Sequence, residues 1–414
     1  MENLEEKISE AVNENSVSIF RNKNFFLIWI GQSISLFGDY LYIIALMWWV
    51  LEKTGSTAAM ASVAICSSLP TIILGPFAGT FVDRVDKRKL LILMDIGRGI
   101  TICIPGILYF LNYLQVWHIF IIAALLSSMT IFFNPALNSF IPRIVDKGKL
   151  VRANSLSQMS NNLSGVLGPA LGGILVALIG AGTVMLFDAL SFFLSVVAIF
   201  FVRIKTEKVS VQRERKKFTY DLLEGLNFIR TESGILGLVI LFSLLNFFVA
   251  PVGVLIPLVV KNILNMGAEG FGVLGSSISV GMVLGSLFLG MAGGVRSKGS
   301  FITAGIIVAG VFLALFGISE SFWTSIFLLG GCGFGVSFAN ILVPAVFQTK
   351  IPHEKQGRVF GTLGTISGGL RPISLALIGV LGGLLHIQMI IFLSGVFIAL
   401  GGLGGLLVKG IRKL

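Results

Sequence analysis

Residues 79–89 read Gly-Thr-Phe-Val-Asp-Arg-Val-Asp-Lys-Arg-Lys, a polar stretch between two long apolar runs at about 57–82 and 90–111. A helix needs about 20 apolar residues to cross the hydrocarbon core of a bilayer, so each run is long enough to span a membrane. Gly79 permits close helix approach, and Asp86 is a suitable N-cap because the positive end of a helix dipole attracts an anion. The stretch therefore predicts a basic connection between two membrane helices.

The composition of the whole chain is typical of a membrane protein. Of its 414 residues, 55% are hydrophobic and 12% are charged, whereas soluble domains carry about a quarter charged residues. The mean hydropathy is +0.93. A net charge of +11 is compatible with binding to nucleic acid. The basic residues, however, lie between the apolar runs, which is the distribution expected from membrane topology. Three cysteines and three histidines show no metal-binding spacing, so we expect no metal and no other cofactor.

Ten further apolar runs give twelve predicted spans. The spans lie at about 25–50, 57–82, 90–111, 117–142, 156–180, 183–202, 235–260, 269–294, 300–318, 322–348, 359–384 and 387–408. With a cytoplasmic N-terminus, only Lys53 and Lys261 of the 31 basic residues fall outside, and Arg98 and Arg371 fall within spans. Cytoplasmic loops carry an excess of Lys and Arg. We therefore predict an all-α membrane protein with twelve spans and both termini cytoplasmic.

A basic connection divides the spans into two sets of six. The predicted organisation is a cytoplasmic tail at 1–24, a six-helix bundle at 25–203, a cytoplasmic linker at 204–234, and a second bundle with a short tail at 235–414. The linker is expected to face anionic lipid or to be a solvated connection.

The two halves also repeat a sequence pattern. Pro135, the pair Ile141-Pro142 and Arg152 correspond to Pro344, Ile351-Pro352 and Arg358. Internal repeats of this kind mark secondary transporters, in which the substrate site lies between the repeats. No GxxxxGK[ST] phosphate loop occurs, so we expect no ATP hydrolysis by this chain, and no nucleophile–base pair indicates an enzyme.

The order Gly-x-x-x-Asp-Arg-x-x-Lys-Arg in the opening stretch resembles the loop signature of the major facilitator superfamily. The resemblance implies two six-helix bundles that rock against each other, with a gating role for residues of this loop. The gating candidates are Gly79, Asp83, Arg84, Asp86, Lys87 and Arg88. From composition alone, the same stretch is an ordinary positive-inside loop.

Span 5 carries Gly168, Pro169, Gly172 and Gly173. A proline kinks a helix, and the glycines form a groove for a partner helix. The pattern is similar to the motif of the exporting, proton-antiporting branches of the superfamily, which favours export over import.

Further stretches resemble the macrolide-efflux-like branch of drug:proton antiporters. They are Phe25-Phe26-Leu27, Gly31-Gln32, Gly38-Asp39, Asn134-Pro135-Ala136, Ile141-Pro142, Ala153-Asn154 and Asp188-Ala189. This resemblance implies export of amphipathic drugs from a bacterial cytoplasmic membrane, with some relatives exporting siderophores or moving lysolipids. Span 4 lacks the buried Arg of other drug-exporting branches, so the route of proton coupling is not carried over with the resemblance.

Two charges at membrane depth are candidates for coupling transport to protons. A charge in the middle of a membrane helix costs about 2.5–3.5 kcal/mol, so its presence calls for a functional or structural reason. Asp39 lies mid-way along span 1 with no basic residue nearby in that span, so we expect it to exchange protons. The alternative is a structural acid that stays protonated. Arg371 lies near the middle of span 11, and we expect it to line the cavity and interact with a carboxyl, Asp39 above all. Asp95 and Arg98, three residues apart, are expected to form a structural pair near the inner surface.

Uncharged polar residues supply the remaining cavity candidates, although each one is equally suited to a helix–helix hydrogen bond. They are Gln32, Asn134, Asn138, Asn246 and Asn340. The sequence thus predicts a monomeric exporter of small amphipathic, macrolide-like compounds, driven by proton antiport. Export or flipping of a natural amphiphile (a siderophore, peptide or lysolipid) is one alternative. A non-transporting receptor or assembly subunit is another.

Overall fold

The computed structural model describes residues 19–202, 218–292 and 297–412. In this part of the chain there is no strand, and twelve helices are long and apolar enough to cross a membrane. Spans 1 to 6 are Lys23–Thr54, Thr57–Arg84, Lys87–Phe110, Val116–Ile144, Leu150–Ile179 and Ala181–Phe200. Spans 7 to 12 are Ser233–Val249 with Val252–Asn262, then Ala268–Met291, Lys298–Gly317, Phe322–Lys350, His353–Leu381 and Ile387–Leu407. The prediction of an all-α, twelve-span protein is confirmed.

Single residues in the short connections cap the helices, so consecutive spans follow one another closely. The Asp86 side chain accepts a hydrogen bond from the backbone N–H of Lys89 at 2.9 Å, which makes it the N-cap that the sequence predicts for span 3. Spans 5 and 6 are joined by one residue, Gly180, whose φ of 80° suits a residue without a Cβ.

Span 7 departs from the single continuous helix that the sequence predicts. It breaks between Val249 and Val252, at Pro251. Proline has no N–H to donate to the preceding turn and its ring clashes with that turn, so a helix kinks or ends there. A separate helix, Phe218–Thr231, precedes span 7 and occupies part of the predicted linker. The predicted tail up to residue 18, residue 203 at the end of the predicted first bundle, and the predicted linker from 204 to 217 lie outside the described part of the chain.

Two pairs of spans make most of the contact between the first six spans and the last six. Span 5 packs against span 8, and span 2 packs against span 11. A Cβ on Gly173 would lie 2.3 Å from the carbonyl oxygen of Ala268, and one on Gly272 would lie 2.2 Å from that of Pro169. The backbones of spans 5 and 8 are therefore in direct contact at the end of the molecule that the charge pattern predicts to be external.

The opposite end of the seam between spans 2 and 11 is open. A Cβ on Gly75 or Gly79 of span 2, or on Gly361 or Gly364 of span 11, would meet no atom within 4 Å. At the other end of this seam, a Cβ on Gly382 would lie 2.5 Å from the Thr57 side chain. The molecule is thus closed at the predicted external end and open at the predicted cytoplasmic end.

Candidate functional site

The largest of the described cavities, which we call the acid cavity, lies among spans 1 to 4 and span 6 and has a volume of about 730 Å³. Asp39 and Arg98 both line it, together with the aromatic rings of Tyr40, Tyr42 and Phe192. A smaller pocket of about 380 Å³, bordered by Gln32 and Ser160, shares Asp39, Arg98 and Asn134 with it. Two charged side chains therefore face space that is otherwise largely apolar.

A buried network holds Arg98 in place. Its guanidinium forms an ion pair with Asp95, and it lies over the ring of Phe133 with the Cζ atom 3.9 Å from the centroid. The Ser195 hydroxyl donates to the other Asp95 oxygen at 2.7 Å. The Gln32 amide donates to the Ser195 oxygen at 2.7 Å. The predicted Asp95–Arg98 pair forms, but it borders the acid cavity, and Gln32 joins spans 1, 3 and 6 through it.

Asp39 differs from the other two membrane-embedded acids in having no such partner. It is half-buried and makes no hydrogen bond with the described residues, whereas Asp188 accepts one from the Ser191 hydroxyl at 3.1 Å. Arg98 and Asp95 lie within electrostatic range of Asp39. Asp39 thus lies at the edge of a charge network without being fixed by it.

Arg371 does not join this network in the structure. Its side chain is exposed on span 11 and lines none of the described cavities. The cation beside Asp39 is Arg98, which the sequence assigns to a structural pair. The sequence does not reveal that Arg98 lies beside Asp39, because the spacing of Asp95 and Arg98 on one helix does not indicate which other helix the pair faces.

A third cavity, of about 580 Å³, lies between the two sets of spans and is named here the amide chamber. It is lined by Tyr40, Gln158, Asn161, Asn162, Gly165, Ser279, Met282, Val283, Ser286, Ser337, Asn340 and Ile341. Asn340, one of the cavity candidates from the sequence, lies in its wall. The residues of span 5 were missed, although a signal was present: seven of the ten residues from Ser155 to Ser164 are Ser, Gln or Asn, and none is charged.

The other polar candidates are placed as follows. Asn134 lines the acid cavity. Asn246 borders a pocket of about 250 Å³ in the second half, which Asn340 also borders, and its amide donates to the Phe242 carbonyl at 2.8 Å. Asn138 is exposed but lines none of these cavities.

The loop candidates fix the ends of several spans. The buried Lys87 ammonium donates to the Val82 carbonyl at 3.4 Å, and the Arg88 guanidinium donates to the carbonyls of Ile199 and Phe200 at the end of span 6. Asp83 and Arg84 are exposed. The loop therefore fastens spans 2, 3 and 6 together while leaving Asp83 and Arg84 free of that packing.

The span 5 glycines lie where other helices approach most closely. A Cβ on Gly168 would lie 2.5 Å from the Tyr40 Cβ, and one on Gly172 would lie 3.2 Å from the Leu41 Cα. Gly173 faces span 8, as described above. The predicted groove therefore receives span 1 on one side and span 8 on the other.

Comparison with known proteins agrees with this architecture. The model of the transmembrane secretion effector family, a family of the major facilitator superfamily, matches residues 14–411. The chain belongs to this family. It is therefore a multi-pass transporter of the bacterial cell membrane and not an enzyme.

Relatives of this transporter include named efflux proteins. It is 28% identical over 392 residues to macrolide efflux protein A of Streptococcus pyogenes, covering 94% of this chain and 97% of that one. It is 24% identical over 353 residues to the multidrug efflux pump Tap of Mycolicibacterium fortuitum, covering 83% and 85%.

Among solved structures, a bacterial homologue of the lysosomal transporter Spinster, in an inward-facing, unoccupied conformation, has a TM-score of 0.72 at 11% identity, covering 96% of this chain and 98% of that one. A bacterial homologue of ferroportin in its inward-facing state has a TM-score of 0.71 at 16% identity, covering 94% and 98%. These likenesses concern the fold alone.

Proposed function

We propose that this transporter exports amphipathic, macrolide-like drugs from the cell in exchange for protons, by alternating access. The efflux relatives in S. pyogenes and M. fortuitum support the drug-export part of the proposal. The amphipathic character of the substrate is supported by the acid cavity, whose largely apolar and aromatic walls carry a few polar groups.

One observation carries the proton-coupling part: Asp39 faces the acid cavity without a hydrogen bond to the described residues, beside an arginine that is already paired with Asp95. An ionised carboxyl at membrane depth is costly unless it is paired, so such a group binds a proton in one environment and releases it in another. Rocking of the bundles would supply the two environments, since the acid cavity would be exposed to opposite sides of the membrane in turn.

Alternating access is supported by the unequal ends of the molecule. Close helix contacts lie at one end of both seams, while glycines at the other end of the seam between spans 2 and 11 face open space. Glycines allow helix backbones to approach closely, so the open ends of spans 2 and 11 are suited to forming the same kind of contact.

The test is drug extrusion from whole cells with ATP maintained. Adding a protonophore should stop extrusion, because the proton gradient supplies the driving force. The control is the same cells without the protein. Extrusion that continues after the gradient has collapsed would exclude antiport with protons, while the protein would remain a drug exporter.

Export of a natural amphiphile, such as a siderophore, peptide or lysolipid, is the second candidate. The amide chamber suits such a compound as well as it suits a drug, because its amides and hydroxyls can bond to polar groups that both kinds of compound carry. Accumulation assays with a panel of such compounds would separate the two.

A further inference from the structure

Three polar atoms around the acid cavity are buried without a hydrogen bond to the described residues. They are the Tyr42 hydroxyl oxygen, Nε of Arg98 and Oδ2 of Asp188. Buried polar groups are nearly always hydrogen-bonded, so each unpaired atom calls for a reason. Tyr42 and Arg98 line the acid cavity, whereas Asp188 lies behind its wall on span 6. The antiport proposed above uses Asp39 and assigns nothing to Asp188.

The Asp188 side chain is completely enclosed. The residue is 0% exposed, and its Oδ1 atom accepts a hydrogen bond from the Ser191 hydroxyl at 3.1 Å. The carboxyl lies against span 1 at Gly38, where an added Cβ would overlap Oδ1 of Asp188. No basic side chain pairs with it among the described residues. An ionised carboxyl is costly in such a place, so the neutral acid is the form that fits this packing.

Asp188 and Asp39 lie on adjacent spans and act on each other. Gly38, which packs against Asp188, directly precedes Asp39 in the chain, and the two carboxyls lie within electrostatic range. Arg98 is within range of both, but it is already paired with Asp95. Two like charges on neighbouring carboxyls are costly to hold at the same time, so this arrangement favours a proton held between the two acids.

Other ionisable side chains on the spans packed against span 6 are neutral or lie far from Asp188. Cys103 and Tyr109 of span 3 and Tyr40 of span 1 carry thiol and phenol groups. Arg152, the one ionisable side chain of span 5, lies in the first turn of that helix, near its cytoplasmic end. The groups named above therefore set the charge of Asp188.

Tyr42 connects the enclosed carboxyl with the cavity. It lies three residues after Asp39 on span 1, lines the acid cavity, and is within electrostatic range of both carboxyls. A phenol hydroxyl can donate and accept at once, so it can pass a proton on without gaining charge. In such a transfer, the Asp188 O–H bond breaks as its proton moves to the Tyr42 oxygen, and the Tyr42 proton moves to the Asp39 carboxylate. Bridging water or small side-chain rotations would close the gaps between these atoms.

We propose that Asp188 is a second proton-binding residue of the transporter, which exchanges its proton with Asp39 through the Tyr42 hydroxyl. Asp39, which faces the cavity, exchanges protons with water there, while Asp188 holds one in the interior. The role of Asp188 in transport rests on the antiport proposed above, whereas the proton site itself does not. The alternative is a carboxyl that stays protonated in every state and serves packing alone.

Infrared difference spectra of the full-length protein in phospholipid membranes test the proton site directly. A protonated carboxyl has a carbonyl stretch that disappears when the group ionises. Raising the pH from mildly acidic to mildly alkaline should remove two such bands from the wild type, while Asp95, held in its ion pair, should contribute none. Asp188→Asn should lack one band and Asp39→Asn the other. The matched control is Asp146→Asn, a change at an exposed acid that should leave both bands in place.

Tyr42→Phe removes the hydroxyl and keeps the ring, so it tests the route of the proton. After a rapid pH jump, the Asp188 band should change about tenfold more slowly than in the wild type and reach the same final spectrum, because the group that passes the proton on is gone. Tyr109→Phe makes the same change on span 3, where the Tyr109 ring packs on Gly182 of span 6, and should keep the wild-type rate. An unchanged rate in Tyr42→Phe would overturn the route through this hydroxyl.

Asp188→Asn keeps the size of a neutral carboxyl, so drug binding should persist while uphill export driven by a pH gradient falls about tenfold. An Asp188 band that does not respond to pH, or full uphill export by this variant, would overturn the assignment. If the variant fails to fold, the Asp39→Asn spectrum carries the same test, because its remaining pH-sensitive band belongs to Asp188. Two titrating bands in a wild type that exports without a proton gradient would overturn antiport and leave the proton site intact.

Discussion

The three acids at membrane depth differ in what holds them. Asp95 has an arginine and the Ser195 hydroxyl, and Asp188 has the Ser191 hydroxyl. Asp39 has electrostatic neighbours but no hydrogen bond with the described residues, and it faces a cavity. A group that must bind and release a proton in each cycle is better served by this loose placement than by a fixed ion pair.

Replacing Asp39 by Asn tests that role. The amide keeps the size of the side chain but cannot exchange a proton, so we expect drug binding to persist within a few-fold while uphill export driven by a pH gradient is lost. The measurement is drug transport into inside-out vesicles with an imposed gradient, beside binding to the same preparation. Asp146→Asn makes the same change at a side chain that is 81% exposed and that pairs, within the described part of the chain, with Lys149, and it should transport normally. Full uphill export by the Asp39 variant would remove it from the mechanism.

The sequence singles out individual residues more readily than it pairs them. Asp39 stands out because a charge in an apolar run needs a reason. Its cation was assigned to Arg371, whereas Arg98 lies nearby, because the choice depends on which helices are neighbours and not on depth along the chain. The uncharged run from Ser155 to Ser164 was missed because attention to charges passed over seven neutral polar residues.

At the scale of helices, span 5 links the two halves. Its Gly168 and Gly172 pack on span 1, and its Gly173 packs on span 8. The backbone N–H of Ala170, the residue after Pro169, donates to the Ser276 hydroxyl of span 8 at 2.9 Å. The sequence predicted the groove and its tightness, but it gave no indication that two different helices would share it.

The loop between spans 2 and 3 is the second element with a predicted effect. Asp83 is exposed in this open state, so Asp83→Asn should leave insertion and expression unchanged. If Asp83 helps to hold the closed form of the open end, its loss should slow transport about tenfold by shifting the balance between states. Initial transport rates at equal expression measure this, again with Asp146→Asn as the control. Unchanged rates would indicate that the loop serves topology alone.

At the scale of the whole molecule, the number of spans followed from apolar run length, because a bilayer fixes the length of a helix that crosses it. The open and closed ends did not follow from the sequence. Both ends of the seam between spans 2 and 11 carry glycines (Gly75 and Gly361 at one, Gly379 and Gly382 at the other), so either could close. Which end is closed depends on a small free-energy difference between two packings of the same helices.

The orientation in the membrane decides what the open end does. If both termini are cytoplasmic, the acid cavity and the amide chamber open toward the cytoplasm, and this state takes up the compound to be exported. Reporters fused after Lys89, Lys149, Arg215 and Arg412 should then all report the cytoplasm, and one inserted near Gly55 should report the exterior, because all but four of the 31 basic residues fall on one side in that arrangement. A uniformly reversed pattern would keep the twelve spans but make this the releasing state of an exporter. A mixed pattern would contradict the number of spans itself.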